Sequence, residues 1–392
     1  MSNIKAVQPE QITVSLPDMF QTFLKQAPEV NPHYEAVKVE SEEALGRFCA
    51  FGPKMKKKIN KCDFSYFCAI AAPHASRSRF RTLCDWGNWV FPYDDILVFD
   101  NGHLRDRPEE SQLVMESLMM PMLSSASKKG IRTKGRLRIV QFHDTVVKRM
   151  AMKSPTGVQR RFALAMQGYC RGALVQIDNQ FSGKRPTLEE IAMIRRESAG
   201  CRPLYHLVEY AHRLQVPDEV FDHPVIQELE NIGMDMVAII MRRSNDILSY
   251  RKEQAEGVPH NMVTACRLNG LSAQEAFDKV GKLLEDRYRR WDRAEACVPS
   301  WGEEADVQVR KYIEGIKCVV RANLNWSFKS ERYLGSNPDV VRATRKLQIL
   351  ADSPAIDVQP QLFDRTLLLE ISFLLGICFS LRMIFPWQLF FG

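Results

Sequence analysis

The sequence lacks the features that would place it outside the ordinary globular class. Glycine and proline number 20 each in 392 residues, too few for a collagen-like chain or a Pro/Gly-rich disordered one. Its net charge is only +7, and residues of both signs are mixed along the chain. A dedicated nucleic-acid-binding protein concentrates positive charge on one stripe, so we expect no nucleic-acid partner.

The ten cysteines show none of the patterns that indicate a metal site or a disulfide framework. No Cys-x-x-Cys pair occurs, and no histidine cluster stands near a cysteine at zinc-finger spacing. The first 21 residues contain no apolar segment of signal-peptide length. Scattered cysteines without a secretory signal indicate reduced thiols in a cytoplasmic protein, and we expect most of them to be small buried side chains.

Alternating strand patterns are also lacking, whereas apolar residues recur at helical spacing. This spacing predicts helices over Ser76 to about Leu97, Val225 to about Glu256, and about Ala305 to Lys329. Ser272 and Glu275 have the spacing of a capping box, which would open a further helix. We therefore predict an all-α fold, a single bundle of many helices.

No internal repeat or low-complexity linker divides the chain. We expect residues 1–30 to be a loose polar lead, residues 31–340 the helical domain, and residues 341–392 an extension with an apolar tail. That tail, Leu367 to Gly392, is interrupted by Glu370 and Arg382, which leaves 11 uninterrupted apolar or small residues. Because a spanning helix needs about 20, we expect no stable membrane insertion.

The most informative polar pattern is Asn245, Ser249 and Glu253. On a helix this spacing of four places an amide, a hydroxyl and a carboxylate on one face. These hard oxygen donors suit Mg²⁺. The same helix is apolar just upstream, as expected where a helix lines an apolar cavity with a polar mouth; the apolar residues are Leu229, Ile232, Met236 and Ile239.

A second acidic segment follows the helix that begins near Ser76. Asp94 and Asp95 lie at the predicted end of that helix, beneath an apolar and aromatic stripe. Paired carboxylates in this position could hold one or two Mg²⁺ ions. The alternative for a double Asp taken by itself is an acidic helix end that runs into a turn.

Basic residues form the third element. Arg332 and Tyr333 follow the helix that ends near Lys329, and Arg195 and Arg196 precede a run of small residues. Arginine makes bidentate contacts with phosphate, and Lys252 supplies a further cation. Each of these residues taken singly is an ordinary surface residue, so their interpretation depends on the combination.

Together, and in this order, the motifs resemble the class I terpene synthases, specifically the fungal sesquiterpene synthases. The resemblance spans about residues 30–340 and includes the lead-in 84–92 and the segment Asn325-Trp326-Ser327. It implies a class I terpenoid synthase-like bundle with a central active-site cavity. It also implies a Mg²⁺-dependent terpene cyclase, a monomer or homodimer, that converts farnesyl diphosphate to a sesquiterpene hydrocarbon or alcohol.

The resemblance also implies roles for individual residues. Three Mg²⁺ ions would be held by Asp94, Asp95, Asn245, Ser249 and Glu253. The diphosphate would be bound by Arg196 or Arg195, Lys252, Arg332 and Tyr333. The carbonyl of Gly200 would assist ionisation, and Phe91 and Trp326 would line the substrate pocket.

The acidic motif departs from the family pattern at one point. Val98 occupies the fifth position counted from Asp94, where the family usually has an acid, and Asp100 comes two residues later. At about 100° per residue, Asp100 would point about 240° around an ideal helix from Asp94. Asp94 is therefore the best candidate ligand of this segment.

Three other functions would each require sequence features that can be compared with this chain. A chain-elongating prenyl synthase would need a second Asp-rich segment in place of the Asn245 triad, and none is present. A protonation-initiated cyclase would need an Asp-x-Asp-Asp acid, but Pro92 stands two residues before Asp94. A catalytically impaired protein that keeps the fold as a binding or scaffold module is supported only by the displaced Asp100.

Overall fold

The fold is that of a helical protein with one small strand pair. The computed structural model describes residues 10–94, 104, 107–122, 136–184, 186–240, 247–248, 250–251, 254, 261–330, 334 and 338–351. Its first helices are α1 (Tyr34–Phe48), α2 (Pro53–Cys62), α3 (Phe64–Ala71), α4 (Arg77–Tyr93), α5 (Pro108–Met119), α6 (Arg138–Ala151), α7 (Thr156–Phe181) and α8 (Leu188–Ser198). They are followed by α9 (Cys201–Ala211), α10 (Asp218–Asp222), α11 (Pro224–Ile240), α12 (Met262–Leu268), α13 (Ala273–Ala296), α14 (Glu303–Lys329) and α15 (Pro338–Thr344).

Five helices form a ring of successive contacts in the bundle, and α14 also packs directly against α9 across this ring, at Gly315 and Val208. In order, α3 packs against α4, α4 against α9, α9 against α11, α11 against α14, and α14 against α3. Helix α7 lies against α8 and α9, while α1 and α6 cover α4 and α13 covers α11. Such a ring buries the apolar stripe of each helix against its neighbours, which is how amphipathic helices form one core.

Three ring helices end at the same side of the molecule. Near the start of α4, Arg79 donates to the carbonyl of Tyr210, whereas Phe91 near its end lies 5.5 Å from Trp326, between ring centroids. Helices α11 and α14 are also parallel, because Tyr312 bonds to Glu230 and Ile316 packs on Gly233 one turn further along each helix. The ends of α4, α11 and α14 therefore lie on one side of the bundle.

Three of the four predicted helix signals are borne out within the described residues, and the fourth is borne out in part. Helix α4 covers most of the segment predicted from Ser76, and α14 covers the segment predicted from about Ala305. Ser272 and Glu275 form the expected capping box at the start of α13. The single helix predicted from Val225 to about Glu256 is confirmed only as far as Ile240. Within its predicted span, Ile247 and Leu248 form a turn, so the prediction of one uninterrupted helix is wrong there.

The expectation of a loose N-terminal lead is wrong for residues 10–30. Strand β1 (Gln11–Ser15) pairs antiparallel with β2 (Lys346–Leu350). Val14 and Leu24 are buried, and Thr22–Lys25 forms a 3₁₀ turn against α14. The pairing partner of β1 lies more than 300 residues away in the sequence. The few apolar residues of this polar segment therefore gave no local signal of a strand. The domain boundaries themselves stay a prediction.

The cysteines agree with the sequence expectation as far as the structure describes them. The nine cysteines in the described ranges are all unbridged, and most are buried. Burial raises the pKa of the Cys170 and Cys201 thiols to about 12, so they stay protonated and unreactive. Across the described segments, no helix is both long and apolar enough to cross a membrane. The apolar tail from Leu367 lies outside the described residues.

Candidate active site

Asp94 is placed by the end of α4. Helix α4 contains Pro92, which lacks the amide hydrogen for one helical hydrogen bond, and ends at Tyr93 with Asp94 at its C-cap position. The Asp94 side chain is 8% exposed, which is unusual for a carboxylate unless it has a partner. That partner is Tyr169 of α7, whose hydroxyl donates a hydrogen bond to Asp94 Oδ1.

Tyr169 also connects Asp94 with the break between α8 and α9. Gly200 lies at this break with φ +71°, a backbone conformation that favours glycine because other residues are strained there. A Cβ atom at Gly200 would lie 3.6 Å from Trp86 and 3.8 Å from the Tyr169 ring. One tyrosine thus contacts both the predicted metal ligand and the predicted helix break.

An aromatic wall lies directly below Asp94. Phe91, one turn earlier on α4, packs edge-on against Phe64 at 4.4 Å between ring centroids and lies 5.5 Å from Trp326. The Trp326 indole is fixed because its Nε1 donates to the carbonyl of Cys62 at 2.7 Å. The two residues predicted to line a pocket are therefore in contact with each other and are buried next to the acidic helix end.

The two neighbouring arginines of α8 have different surroundings. Arg196 Nε and Nη2 pair with the two carboxylate oxygens of Asp235 on α11, at 2.6 and 2.9 Å. This hydrogen bond to Asp235 raises the pKa of the Arg196 guanidinium. Arg195 is buried and lies on the side of α8 that also carries the buried Ile191 and Ser198, about 100° around the helix from Arg196. The assignment of the diphosphate contact to Arg196 or Arg195 stays a prediction.

Several predicted site residues lie outside the described residues. They are Asp95, Asp100, Asn245, Ser249, Lys252, Glu253, Arg332 and Tyr333. The described helices lead up to them: α4 ends just before Asp95, α11 ends five residues before Asn245, and α14 ends three residues before Arg332. Within the described ranges, no group of three His, Cys, Asp or Glu residues could hold a metal ion, since Asp94 is the one predicted ligand among them.

The residues present are compatible with a divalent metal site of oxygen donors. Asp94 offers a buried carboxylate whose Oδ1 accepts a hydrogen bond from the Tyr169 hydroxyl. A carboxylate that binds a metal is usually oriented by such a hydrogen bond from a neighbouring side chain. The predicted amide, hydroxyl and carboxylate of the Asn245 triad are all hard donors that suit Mg²⁺. The donor set contains no soft ligand that would favour zinc or copper.

Sequence reasoning missed three features of this region. Tyr169 lies in an ordinary amphipathic helix, 75 residues from Asp94, and gave no local signal. Asp235 could have been found, because it is an isolated acid in the apolar segment 232–240 and so required a buried partner. Asn323 and Ser327 on α14 are polar residues in a buried helix, which is a signal of the same kind.

The fold and this site define a class of protein. Helices close around a buried aromatic centre, and one of them ends in a buried carboxylate beside a break between two others, as in a class I terpenoid synthase. The solved structure of an α-eudesmol synthase shares the fold, with a TM-score of 0.69 at 20% identity, over 79% of this chain and 99% of that chain. The predicted all-α class I fold is therefore confirmed.

Sequence comparison identifies the family. A family model described as terpene synthase family 2, C-terminal metal binding, matches residues 85–290. The chain is 35% identical to a silphinene synthase of Penicillium patulum, over 87% of this chain and 91% of that protein. It is 33% identical to a (+)-eremophilene synthase of Gibberella fujikuroi, over 82% of this chain and 88% of that protein.

The chain belongs to the terpene synthase family. The predictions of a terpene cyclase and of a sesquiterpene synthase are thereby confirmed. Family membership also implies dependence on a divalent metal and a prenyl diphosphate substrate.

Proposed function

We propose that this protein ionises farnesyl diphosphate with three Mg²⁺ ions and cyclises the resulting carbocation to a sesquiterpene, releasing diphosphate. The observation that carries the proposal is the position of Asp94. Its carboxylate is buried at the end of α4, in contact with Tyr169 and one turn above the Phe91–Trp326 pair. A metal ligand at the top of an aromatic pocket is the arrangement that this reaction needs.

The proposed diphosphate site combines described and undescribed residues. Metal ions bound there would neutralise the diphosphate and make it a better leaving group. Asp94 and Asp95 would hold them from one side, and Asn245, Ser249 and Glu253 from the other. The diphosphate itself would be bound by Arg195 or Arg196, Lys252, Arg332 and Tyr333, with the Gly200 carbonyl directed at the developing positive charge.

The aromatic wall has two tasks after ionisation. The faces of Phe64, Phe91 and Trp326 stabilise positive charge through their π systems. They are not basic enough to trap a carbocation, and their burial excludes bulk water that would quench it. This surrounding supports an apolar chain as the cyclised part of the substrate.

The substrate assignment is tested by comparing prenyl diphosphates of two lengths. We expect the purified full-length chain with Mg²⁺ to convert farnesyl diphosphate to volatile sesquiterpenes, detected by gas chromatography with mass detection, and to turn over geranylgeranyl diphosphate much more slowly. EDTA should abolish the products. A folded protein that releases no diphosphate from either substrate would instead support the impaired binding or scaffold module.

The metal assignment is tested at the triad. Asn245→Ala and Glu253→Ala each remove an oxygen donor from a proposed Mg²⁺ ion, so we expect kcat/KM to fall at least about 10³-fold, or about 4 kcal/mol. The measurement is diphosphate release with farnesyl diphosphate. Circular dichroism and the thermal midpoint should stay at the wild-type values. Activity close to wild type in either variant would refute the metal role of the triad.

Two further parts of the proposal concern the state of the enzyme in the cell. Reduced, buried thiols support a cytoplasmic location. The single helical domain supports a monomer or a homodimer, which light scattering of the purified chain would distinguish.

A further inference from the structure

Helix α14 carries two polar side chains that are buried without a partner. Asn323 and Ser327 are each 0% exposed. Neither the Asn323 amide nitrogen and oxygen nor the Ser327 hydroxyl makes a hydrogen bond within the described part of the protein. Leaving buried donors and acceptors unpaired is costly, so a buried Asn and Ser together indicate a bound polar molecule.

The two side chains share one face of α14. They are four residues apart, so they stack one turn above the other. The same face carries Tyr312, whose hydroxyl donates to Glu230 at 2.7 Å, and Ile316, which lies 2.8 Å from a Cβ built at Gly233. At about 100° per residue, Asn323 and Ser327 lie within about 60° of the direction of Tyr312. They therefore face α11 and the interior of the ring.

The pairing of α14 with α11 also shows how far along the bundle Asn323 and Ser327 lie. Tyr312 meets Glu230 and Ile316 meets Gly233, so the two helices run in parallel with a constant offset. The same offset places Asn323 opposite Ile240, the end of α11. On the other side, Trp326 packs against Phe91, three residues before Asp94. The polar pair thus lies within about two turns below the acidic helix end, in an otherwise apolar wall.

A neighbouring asparagine on the same helix does have a hydrogen-bond partner. Asn325 is also buried on α14, but its amide donates to the carbonyl of Arg321 at 2.9 Å within the same helix. The side-chain amide of an asparagine in this helix can therefore donate a hydrogen bond to a backbone carbonyl of the same helix. Asn323 makes no such bond within the described residues.

We propose that Asn323 and Ser327 bind one water molecule in the cavity wall, and that this water captures the final carbocation to give a terpene alcohol. This inference rests on the proposed cyclisation of farnesyl diphosphate. A buried water needs two to four polar partners, and an amide with a hydroxyl one turn away supplies donors and acceptors at suitable spacing. Neither group is basic, so the pair orients the water and does not itself remove a proton.

The capture step is balanced by groups that the reaction already supplies. A lone pair of the water oxygen forms the new C–O bond to the cationic carbon. The proton that the resulting oxonium ion loses passes to the diphosphate released in the first step. No oxidant or further reactant is needed, and the product differs from the hydrocarbon by the elements of water.

The test measures products and total turnover separately, in water enriched in oxygen-18. Wild type should release diphosphate and form an alcohol that carries the label. In Asn323→Leu the labelled alcohol should fall about tenfold relative to hydrocarbon, equivalent to about 1.4 kcal/mol. Diphosphate release should stay within about threefold, because the ionisation site is intact. Ser327→Ala, which removes a single oxygen atom, should shift the same ratio in the same direction.

Two controls separate this role from a structural one. Asn325→Leu removes an amide that is already satisfied, so it should lower the thermal midpoint and leave the ratio of alcohol to hydrocarbon unchanged. Asn323→Leu should leave the midpoint unchanged or raise it, because it removes unpaired polar atoms from the core. A midpoint that falls in Asn323→Leu without a change in the product ratio would overturn the inference.

The remaining outcomes distinguish this inference from the function on which it rests. A wild-type enzyme that forms only hydrocarbons, with normal diphosphate release, overturns the water site and leaves the cyclase proposal intact. An alcohol whose yield and label are unchanged in both the Asn323 and Ser327 variants also overturns it. Absence of diphosphate release from wild type contradicts the proposed function itself.

Discussion

At the scale of single residues, Tyr169 connects two parts of the candidate site. Its hydroxyl donates to Asp94, and its ring lies against Gly200 at the break between α8 and α9. Burial, followed by the neighbouring Asp94, raises the pKa of Tyr169 well above its ordinary value. The phenol therefore stays protonated at neutral pH and remains a hydrogen-bond donor that orients the carboxylate.

Tyr169→Phe should weaken the metal site without removing it. Because the variant loses only the bond that orients Asp94, we expect the Mg²⁺ concentration for half-maximal activity to rise about tenfold, with recovery at high Mg²⁺. The measurement is a Mg²⁺ titration of diphosphate release. Tyr210→Phe is the matched control, since the Tyr210 hydroxyl bonds to Thr82 at the other end of α4. Identical Mg²⁺ curves for wild type and Tyr169→Phe would contradict this role.

His143 is a second residue whose environment has a measurable consequence. It is 0% exposed, packs against Trp89 at 4.5 Å between ring centroids, and its ring nitrogens make no hydrogen bond within the described residues. Burial, assisted by Arg136, lowers the pKa of His143 from 6.5 to about 3. The folded protein therefore keeps this imidazole neutral at a pH where the unfolded chain protonates it.

This pKa shift predicts acid sensitivity of the fold. The stability is fully present above about pH 6.5 and is lost at about 1.4 kcal/mol per pH unit as the pH falls towards 3. Between pH 7 and 5, urea unfolding of wild type should lose about 2 kcal/mol more than that of His143→Phe. Burial also lowers the pKa of His212, to about 4, so the variant retains part of the pH dependence. Parallel stability curves for the two proteins would disprove the assignment.

At the scale of helices, Asp235 joins three elements. This buried residue of α11 binds Arg196 at the end of α8 and also Arg287 of α13, the latter at 2.9 Å. A buried carboxylate between two arginines is costly to break, because removal of one partner leaves charge without compensation. These ion pairs of Asp235 with Arg196 and Arg287 fix the end of α8, immediately before the helix break at Gly200.

Asp235→Asn tests the ion pairs of Asp235 against a more exposed ion pair between α11 and α13. Because both arginines are partly exposed, we expect the free energy of unfolding in urea to fall by about 2 kcal/mol, less than for a fully buried pair. The control is Glu228→Gln, which breaks the more exposed pair between Glu228 of α11 and Arg290 of α13. That change should cost about 0.5 kcal/mol. Equal losses in the two variants would show that burial of Asp235 adds nothing.

At the scale of the whole molecule, the strand pair ties the start of the chain to the segment after α15. The register runs from Gln11 opposite Leu350 to Ser15 opposite Lys346. Gln274 of α13 accepts from the Ser15 amide and donates to its carbonyl, at 2.8 and 3.1 Å. The strands are thus attached to the bundle by side chains as well as to each other.

This arrangement predicts different effects for two truncations. A chain that ends after residue 360 keeps β2 and lacks only residues 361–392, which include the apolar tail. We therefore expect unchanged product formation and an unchanged thermal midpoint. A chain that ends after Thr344 loses β2, which leaves β1 unpaired and Val14 exposed, and its thermal midpoint should fall by roughly 4 °C or more. Loss of activity in the chain that ends after residue 360 would show that residues 361–392 take part in the chemistry.

Local patterns were sufficient to predict four of the helices, one of them in part, and the order of the motifs. The capping box at Ser272 and the helix that leads to Asp94 depend on short-range spacing. The contact between Phe91 and Trp326 was not predicted, and their common role in the pocket rests on the family resemblance. The strand pair could not be predicted, because a strand of five residues has a weak pattern and its partner is far away in the sequence.

The sequence by itself determined the all-α class, the family and the types of residue available for the chemistry. Only the tertiary structure decided the partners: Tyr169 with Asp94, Arg196 with Asp235, and the interior direction of Asn323 and Ser327. The physical reason is that helix formation depends on neighbours within about four residues. A buried hydrogen bond or ion pair depends instead on which helices pack together, and that packing is set by the whole core.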